Sequence, residues 1–242
     1  MPSSSAAGAI IEQARRQGGR PLDEPTAKRV LSLHGLRTPQ SRVLKPGDDV
    51  AQVLGPLQGP LALKLVCPDV LHKSDFGGVK LGLRQAGEIQ AAMDEMAARC
   101  AAAGYRLEGF LLEEMAPPGH EVVIGGFRDP SFGQVIMVGL GGIYVEVLRD
   151  VAFRICPITP LDAREMLDEL QGAALLRGAR GGVRVPDSVL VDALLAVGGE
   201  AGLLTRHADG IAELDINPLI VSADGAVAVD ARLIPCPMGE QP

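Results

Sequence analysis

Apolar residues recur at helical spacing from Ala86 to Ala103. Ile89, Met93, Met96 and Cys100 share one stripe, and Gly104 stands where a left-handed residue ends a helix. Asp23 before Pro25 predicts a second capped helix, with Ala27, Val30, Leu31 and His34 on one face and Gly35 as its stop. Thr159-Pro160-Leu161-Asp162 opens a third, carrying Ala163, Met166, Leu167 and Leu170. Asp187 caps a fourth over Ser188–Arg206, and a short helix is expected near Asp48–Leu54. Leu61–Val66 is an apolar run broken only by Lys64 and reads as a buried strand. Further strands are expected at Ser41–Leu44, Val79–Leu83, Leu107–Met115, His120–Phe127, Gln134–Val138 and Val151–Ile155. Ile211–Val221 and Ala226–Asp230 read as a hairpin around Asp224-Gly225.

Helices and strands alternate in the first hundred residues, and strands cluster afterwards. Ala116-Pro117-Pro118-Gly119 breaks the pattern. The expected organisation is a small, Gly-rich, partly mobile tail (1–20), a smaller α+β subdomain (21–112) and a larger α+β subdomain (113–242).

Composition narrows the classes. A net charge of −7 argues against duplex binding, whose phosphate contacts need a basic face, and 3% aromatic residues with no Trp argue against stacking of single-stranded nucleic acid. Met1-Pro2-Ser3-Ser4-Ser5 lacks the basic and apolar regions of a secretory signal, and no run approaches the ~18 apolar residues of a membrane span. Cys67, Cys100, Cys156 and Cys236 lie too far apart for a C-x-x-C pair. They are expected to be reduced, in a cytoplasmic protein without membrane or nucleic-acid partners.

Candidate chemistry begins at the C-terminal hairpin. Alternate side chains of a strand share a face, so Glu213, Asp215 and Asn217 point one way and Ala212, Leu214 and Ile216 the other. A turn at Asp224-Gly225 pairs Ala223 with Ala226 and Leu219 with Asp230. Asp230 then joins the polar face on a diagonal of roughly 7–8 Å from Asn217. Such oxygen donors suit Mg²⁺, which takes one or two ligands from protein and the rest from phosphate and water. The same pattern also fits a solvated strand face.

Lys64 reads two ways, as a cation reaching a nucleotide phosphate or as an edge-strand lysine pointing to water. The loop Pro68–Val79 is not a Walker A motif, yet Lys73, Ser74, Gly77 and Gly78 could turn backbone N–H groups onto phosphate. His72 in that loop is either a phosphate nucleophile or an ordinary surface imidazole. Gly139, Gly141 and Gly142 read as a backbone-approach loop, and Glu146 as an interior acid or an edge charge.

In order along the chain, these features resemble the ATP-grasp subunit of ADP-forming acyl-CoA synthetases, kin to the succinyl-CoA synthetase β subunit. The resemblance rests on Lys64, Pro68-Asp69-x-x-His72-Lys73-Ser74-Asp75-x-Gly77-Gly78-Val79 and Glu121 with Gly125. It continues through Arg128-Asp129-Pro130-x-Phe132-Gly133 and Gly139-Leu140-Gly141-Gly142-x-x-x-Glu146. It ends with Glu213-Leu214-Asp215-Ile216-Asn217-Pro218-Leu219 and Asp230-Ala231-Arg232. It implies an ATP-grasp fold, two α+β subdomains enclosing a nucleotide site, with ATP/ADP and Mg²⁺ as cofactors. By resemblance, Asn217 and Asp230 look like metal ligands, Asp215 sits beside the transferred phosphoryl group, and Lys64 contacts phosphate. Lys73, Ser74, Gly77 and Gly78 line the nucleotide. Glu113, Glu114 and Met115 match a hinge that meets adenine, Glu121 a ribose- or phosphate-side acid, and His72 a phosphoryl relay. The chain carries no CoA-binding half, so a CoA-binding α-type subunit supplying CoA and a small carboxylic acid is expected. A position often Gln in the family is Glu113 here. Rival readings are a carboxylate–amine ligase on the same scaffold and a regulatory ATP-binding module. Retention of His72, Asn217 and Asp230 favours the ligase subunit.

Overall fold

The computed structural model describes residues 2–70, 73–142 and 149–238. The chain divides into two compact units, Pro39–Ala116 and the combination of Met1–Thr38 with Pro117–Pro242.

The smaller unit is a four-stranded antiparallel sheet. Its strands are β1 (Ser41–Leu44), β2 (Leu61–Val66), β3 (Val79–Leu83) and β4 (Gly109–Glu114), in the order β1-β4-β2-β3. A short helix, α3 (Val50–Val53), follows β1, and α4 (Ala86–Ala103) lies between β3 and β4. The predicted stripe of α4 is the buried one: Ile89, Met93, Met96 and Cys100 pack with Leu61, Leu63, Leu65, Phe110 and Leu112. Gly104 closes the helix at φ 69°, and Glu88 accepts the Gln85 amide at its start. Lys64 and Glu113 alternate with these apolar positions and so lie on the opposite face of the sheet.

The larger unit is a sheet ordered β10-β8-β5-β6-β7, with β9 paired to β8. Its strands are β5 (His120–Asp129), β6 (Gly133–Leu140), β7 (Val151–Ile155), β8 (Ile211–Ser222), β9 (Gly225–Ala228) and β10 (Arg232–Pro235). Val122, Ile124, Ile136, Val138, Leu214 and Ile216 form a core with α1 (Pro2–Arg16), α2 (Glu24–Leu33), α5 (Pro160–Glu169) and α7 (Asp187–Gly198). The short helices α6 (Ala173–Leu176) and α8 (Leu203–Arg206) complete it.

Five expectations are corrected. Residues 2–16 are helix rather than tail, with Ala7, Ile11 and Ala14 buried. They and α2 belong to the larger unit, tied to it by the Leu22 amide on the Leu233 carbonyl. The break between units falls after Ala116, because β4 continues to Glu114 between β1 and β2. The helix expected over 188–206 stops at Gly198, where Gly199 takes an extended backbone at φ −71° and ψ 178°, and a separate short helix begins at Leu203. The hairpin turns at Ala223-Asp224, with Ser222 opposite Gly225. There Gly225 takes φ 129°, and Arg37 donates to the Asp224 carbonyl at 2.7 Å.

Among the described residues, no helix is long and apolar enough to cross a membrane. All four cysteines are free.

Candidate functional site

Strand β8 lies between β5 and β10, and its alternation is the one the sequence predicts. Leu214 and Ile216 enter the core, Asp215 is half-buried, and Glu213 and Asn217 are exposed. Asp215 stands opposite Gly125 on β5 and Arg232 on β10. The turn falls one residue earlier than expected, so the pairing shifts by two residues and Leu219 faces Ala228. This moves Asp230 from the expected diagonal to a place directly across from Asn217, whose amide donates to its carbonyl at 3.3 Å. The Asp215 carboxyl is pushed above the usual carboxylate range. Burial is the main cause, followed by the charges of Glu213 and Asp230, and Arg232 opposes them. The three carboxylates therefore share one electrostatic neighbourhood.

These groups suit a hard divalent cation. Among the described residues no three histidine, cysteine or acidic side chains converge on a metal position. Mg²⁺ takes only one or two ligands from protein beside phosphate and water, a number that an amide oxygen and a carboxylate on this face could supply.

On the smaller unit, β2 is interior, which removes the edge-strand reading of Lys64. Its ammonium meets the Glu113 carboxylate at 3.0 Å, and both side chains are buried. Glu113 and Glu114 are the last two residues of β4, just before the boundary between the units after Ala116. The Glu114 amide donates to the Gln40 carbonyl at 3.0 Å and the Met115 amide to the Pro60 carbonyl at 3.1 Å. The Glu114 carboxylate accepts the Gln58 amide at 2.9 Å. The two amides are thus committed within the unit, and adenine would have to meet other groups of this segment.

Lys73 is half-buried and Ser74 exposed. Gly77 and Gly78 act differently from the expected phosphate cradle, because their amides donate to the Ser74 and Lys73 carbonyls at 3.0 and 2.6 Å. Gly77 is needed for its φ of +72°, and Gly78 because a side chain there would press Leu65 at 3.1 Å. His72 and Glu146 lie outside the described residues. Glu121 is exposed on β5, its carbonyl accepting the Gly141 amide at 2.8 Å. A side chain at Gly141 would strike its Cβ at 2.7 Å.

Two relationships escaped the sequence reading. Arg232 lies two residues beyond Asp230, and strand alternation could have marked it. The Lys64–Glu113 pairing depends on β2 lying beside β4, strands far apart in sequence, so no local signal reveals it.

The family model described as an ATP-grasp domain matches residues 13–234. The chain belongs to the ATP-grasp family. Within that family it is 40% identical over 238 residues to the β subunit of ADP-forming acetate–CoA ligase I of Pyrococcus furiosus. That match covers 97% of this chain and 100% of the relative. It is 36% identical to ADP-forming acetate–CoA ligase I of Archaeoglobus fulgidus, covering 96% of this chain but 33% of that longer one. Among solved structures, it resembles acetyl-coenzyme A synthetase 1 of Ca. Korarchaeum cryptofilum in complex with coenzyme A, Ca-AMPCP and HgCl⁺. The TM-score is 0.87 and the identity 38%, over 94% of this chain and 98% of that one. A second structure of that enzyme holds coenzyme A and Mg-AMPPCP, with a phosphohistidine segment pointing towards the nucleotide site. Its TM-score is 0.81 and its identity 36%, over 95% and 99% of the two chains. This ATP-grasp chain is thus a homologue of the β subunits of ADP-forming acyl-CoA synthetases, ligases made either as separate subunits or as single longer chains.

Proposed function

We propose that this chain is the nucleotide-binding subunit of an ADP-forming acyl-CoA synthetase. It moves a phosphoryl group between ATP/ADP and histidine, within the reaction acid + ATP + CoA ⇌ acyl-CoA + ADP + phosphate. The observation that carries the reading is the Asp215, Asn217 and Asp230 face of the larger sheet. Asn217 and Asp230 hold Mg²⁺, which supplies charge neutralisation to the transferring phosphoryl group. Asp215 and Arg232 flank that group, and Lys64 holds the nucleotide phosphates. Lys73 and Ser74 border the phosphates, Glu121 lies on the ribose or phosphate side, and the chain around Glu113–Met115 borders adenine. His72 receives the phosphoryl group, and its loop neighbour Lys73 offsets the added charge. The partner is a CoA-binding α-type subunit that brings CoA and a small carboxylic acid.

Calorimetry tests the metal face. Asn217→Ala with Asp230→Ala is expected to remove Mg²⁺-dependent ADP binding while the thermal transition persists. Unchanged Mg·ADP affinity in the folded double variant overturns the assignment.

A further inference from the structure

Lys64 and Glu113 meet at 3.0 Å with side chains 9% and 2% exposed. Ala62 pairs with Glu113 and Lys64 with Leu111, so the two charged residues are diagonal neighbours on one face of the β2–β4 ladder. That face lies opposite the apolar core of the smaller unit. A buried ion pair is a poor device for stability alone, because well-packed apolar residues of similar volume hold a fold as well or better. Its place on the strand of the phosphate-binding lysine indicates another use.

We infer that Glu113 is a positioning residue that aims Lys64 at nucleotide phosphate and limits how tightly that phosphate is held. The inference rests on the role given to Lys64 in the proposed function. A lysine ammonium has three N–H donors, so it can keep Glu113 and still donate to a phosphate oxygen. The phosphate then lies near a carboxylate of the same sign, and in a buried setting that repulsion is little screened. Glu113 therefore weakens the grip of Lys64 on ADP and ATP, which keeps the nucleotide exchangeable in a reversible reaction.

Glu113→Gln keeps the shape and a hydrogen-bonding group while removing the charge. Binding of Mg·ADP and of adenosine is compared by calorimetry on the full chain. The expected result is a ratio of Mg·ADP to adenosine affinity at least about tenfold higher in Glu113→Gln than in the native chain. A purely structural role would move both ligands or neither. If the Gln variant fails to fold, Glu113→Asp serves instead, since it draws the carboxylate back by one methylene; the ADP-to-adenosine ratio should then rise by a smaller factor. An unchanged or lower ratio in a folded variant overturns the inference. Lys64→Gln separates this from the underlying reading. A lower ratio there upholds phosphate contact by Lys64, and an unchanged ratio removes that contact and the inference with it.

Discussion

Asp215 faces Arg232 across the β8–β10 ladder, and Arg232 lowers a carboxyl pKa that burial, Glu213 and Asp230 all raise. A raised carboxyl pKa costs nothing below the unfolded value, where the group is protonated in both states. The cost then grows as pH rises through the folded pKa. Asp215→Asn should therefore melt higher than the native protein at pH 8, with the gap closing toward pH 4. The same variant should lose phosphoryl transfer, giving a more stable and inactive protein. A thermal-melt series across that pH range checks the sign, and an Asp215→Asn protein less stable at pH 8 contradicts it.

Arg232→Gln removes a neighbour that lowers this pKa. The Asp215 carboxyl should titrate at still higher pH, readable by carboxyl NMR. Mg·ADP affinity should weaken at the same time, because a cation leaves a face crowded with acids. Tighter binding in this variant would contradict a phosphate-side role for Arg232.

The site was legible where its geometry is local. Strand alternation alone separates Glu213, Asp215 and Asn217 from Leu214 and Ile216. The hairpin expectation brought Asp230 near Asn217 with the pairing off by two residues, because Asp224-Gly225 has the better turn sequence. The structure spends Gly225 at the following position, with Arg37 from the far end of the unit fastening the turn. Features set by long-range pairing were not legible. The docking of α1 and α2 on the larger unit, although the smaller unit follows them in sequence, is one. The neighbourhood of Lys64 and Glu113 is the other.

His34 and His207 share a hydrogen bond between their Nε2 atoms at 3.1 Å, joining the end of α2 to the end of α8. Burial, then the charges of His207 and Arg206, pull His34 down to about 4. His207 is lowered by burial and Arg206 and raised by Glu12. A depressed histidine favours the neutral folded form, so this stability is full above the unfolded value of ~6.5 and is lost as pH falls toward 4. The native protein should lose more stability than His34→Gln between pH 7.5 and 4.5 in urea titrations. Equal losses would remove the pair as the source of acid sensitivity.

Gly77→Ala tests the loop that carries His72. The backbone at position 77 is left-handed, and an added Cβ would lie 2.1 Å from the Arg99 guanidinium, which itself holds the Phe76 carbonyl at 2.8 Å. The left-handed conformation costs a non-glycine residue about 1–2 kcal/mol. Denaturant unfolding should show a loss of that order. Proteolysis should quicken within 67–78 before it quickens elsewhere.

Phosphoryl transfer to His72 has a chemical signature of its own. The imidazole is nucleophilic when neutral and leaves readily once phosphorylated, so it can accept from ATP and return phosphate to ADP. Lys73, next in sequence, adds a cation beside the charge that the ring gains. Phosphohistidine is lost in acid and survives base, whereas phosphoserine survives acid, so the neighbouring Ser74 can be told apart from His72. Incubation with γ-labelled ATP and Mg²⁺, with the CoA-binding partner added where required, should give acid-labile, base-stable label on the native chain. His72→Ala should carry none, and excess ADP should strip label from the native protein as ATP re-forms. Equal labelling of His72→Ala would assign the acceptor elsewhere and reduce His72 to a residue that positions nucleotide.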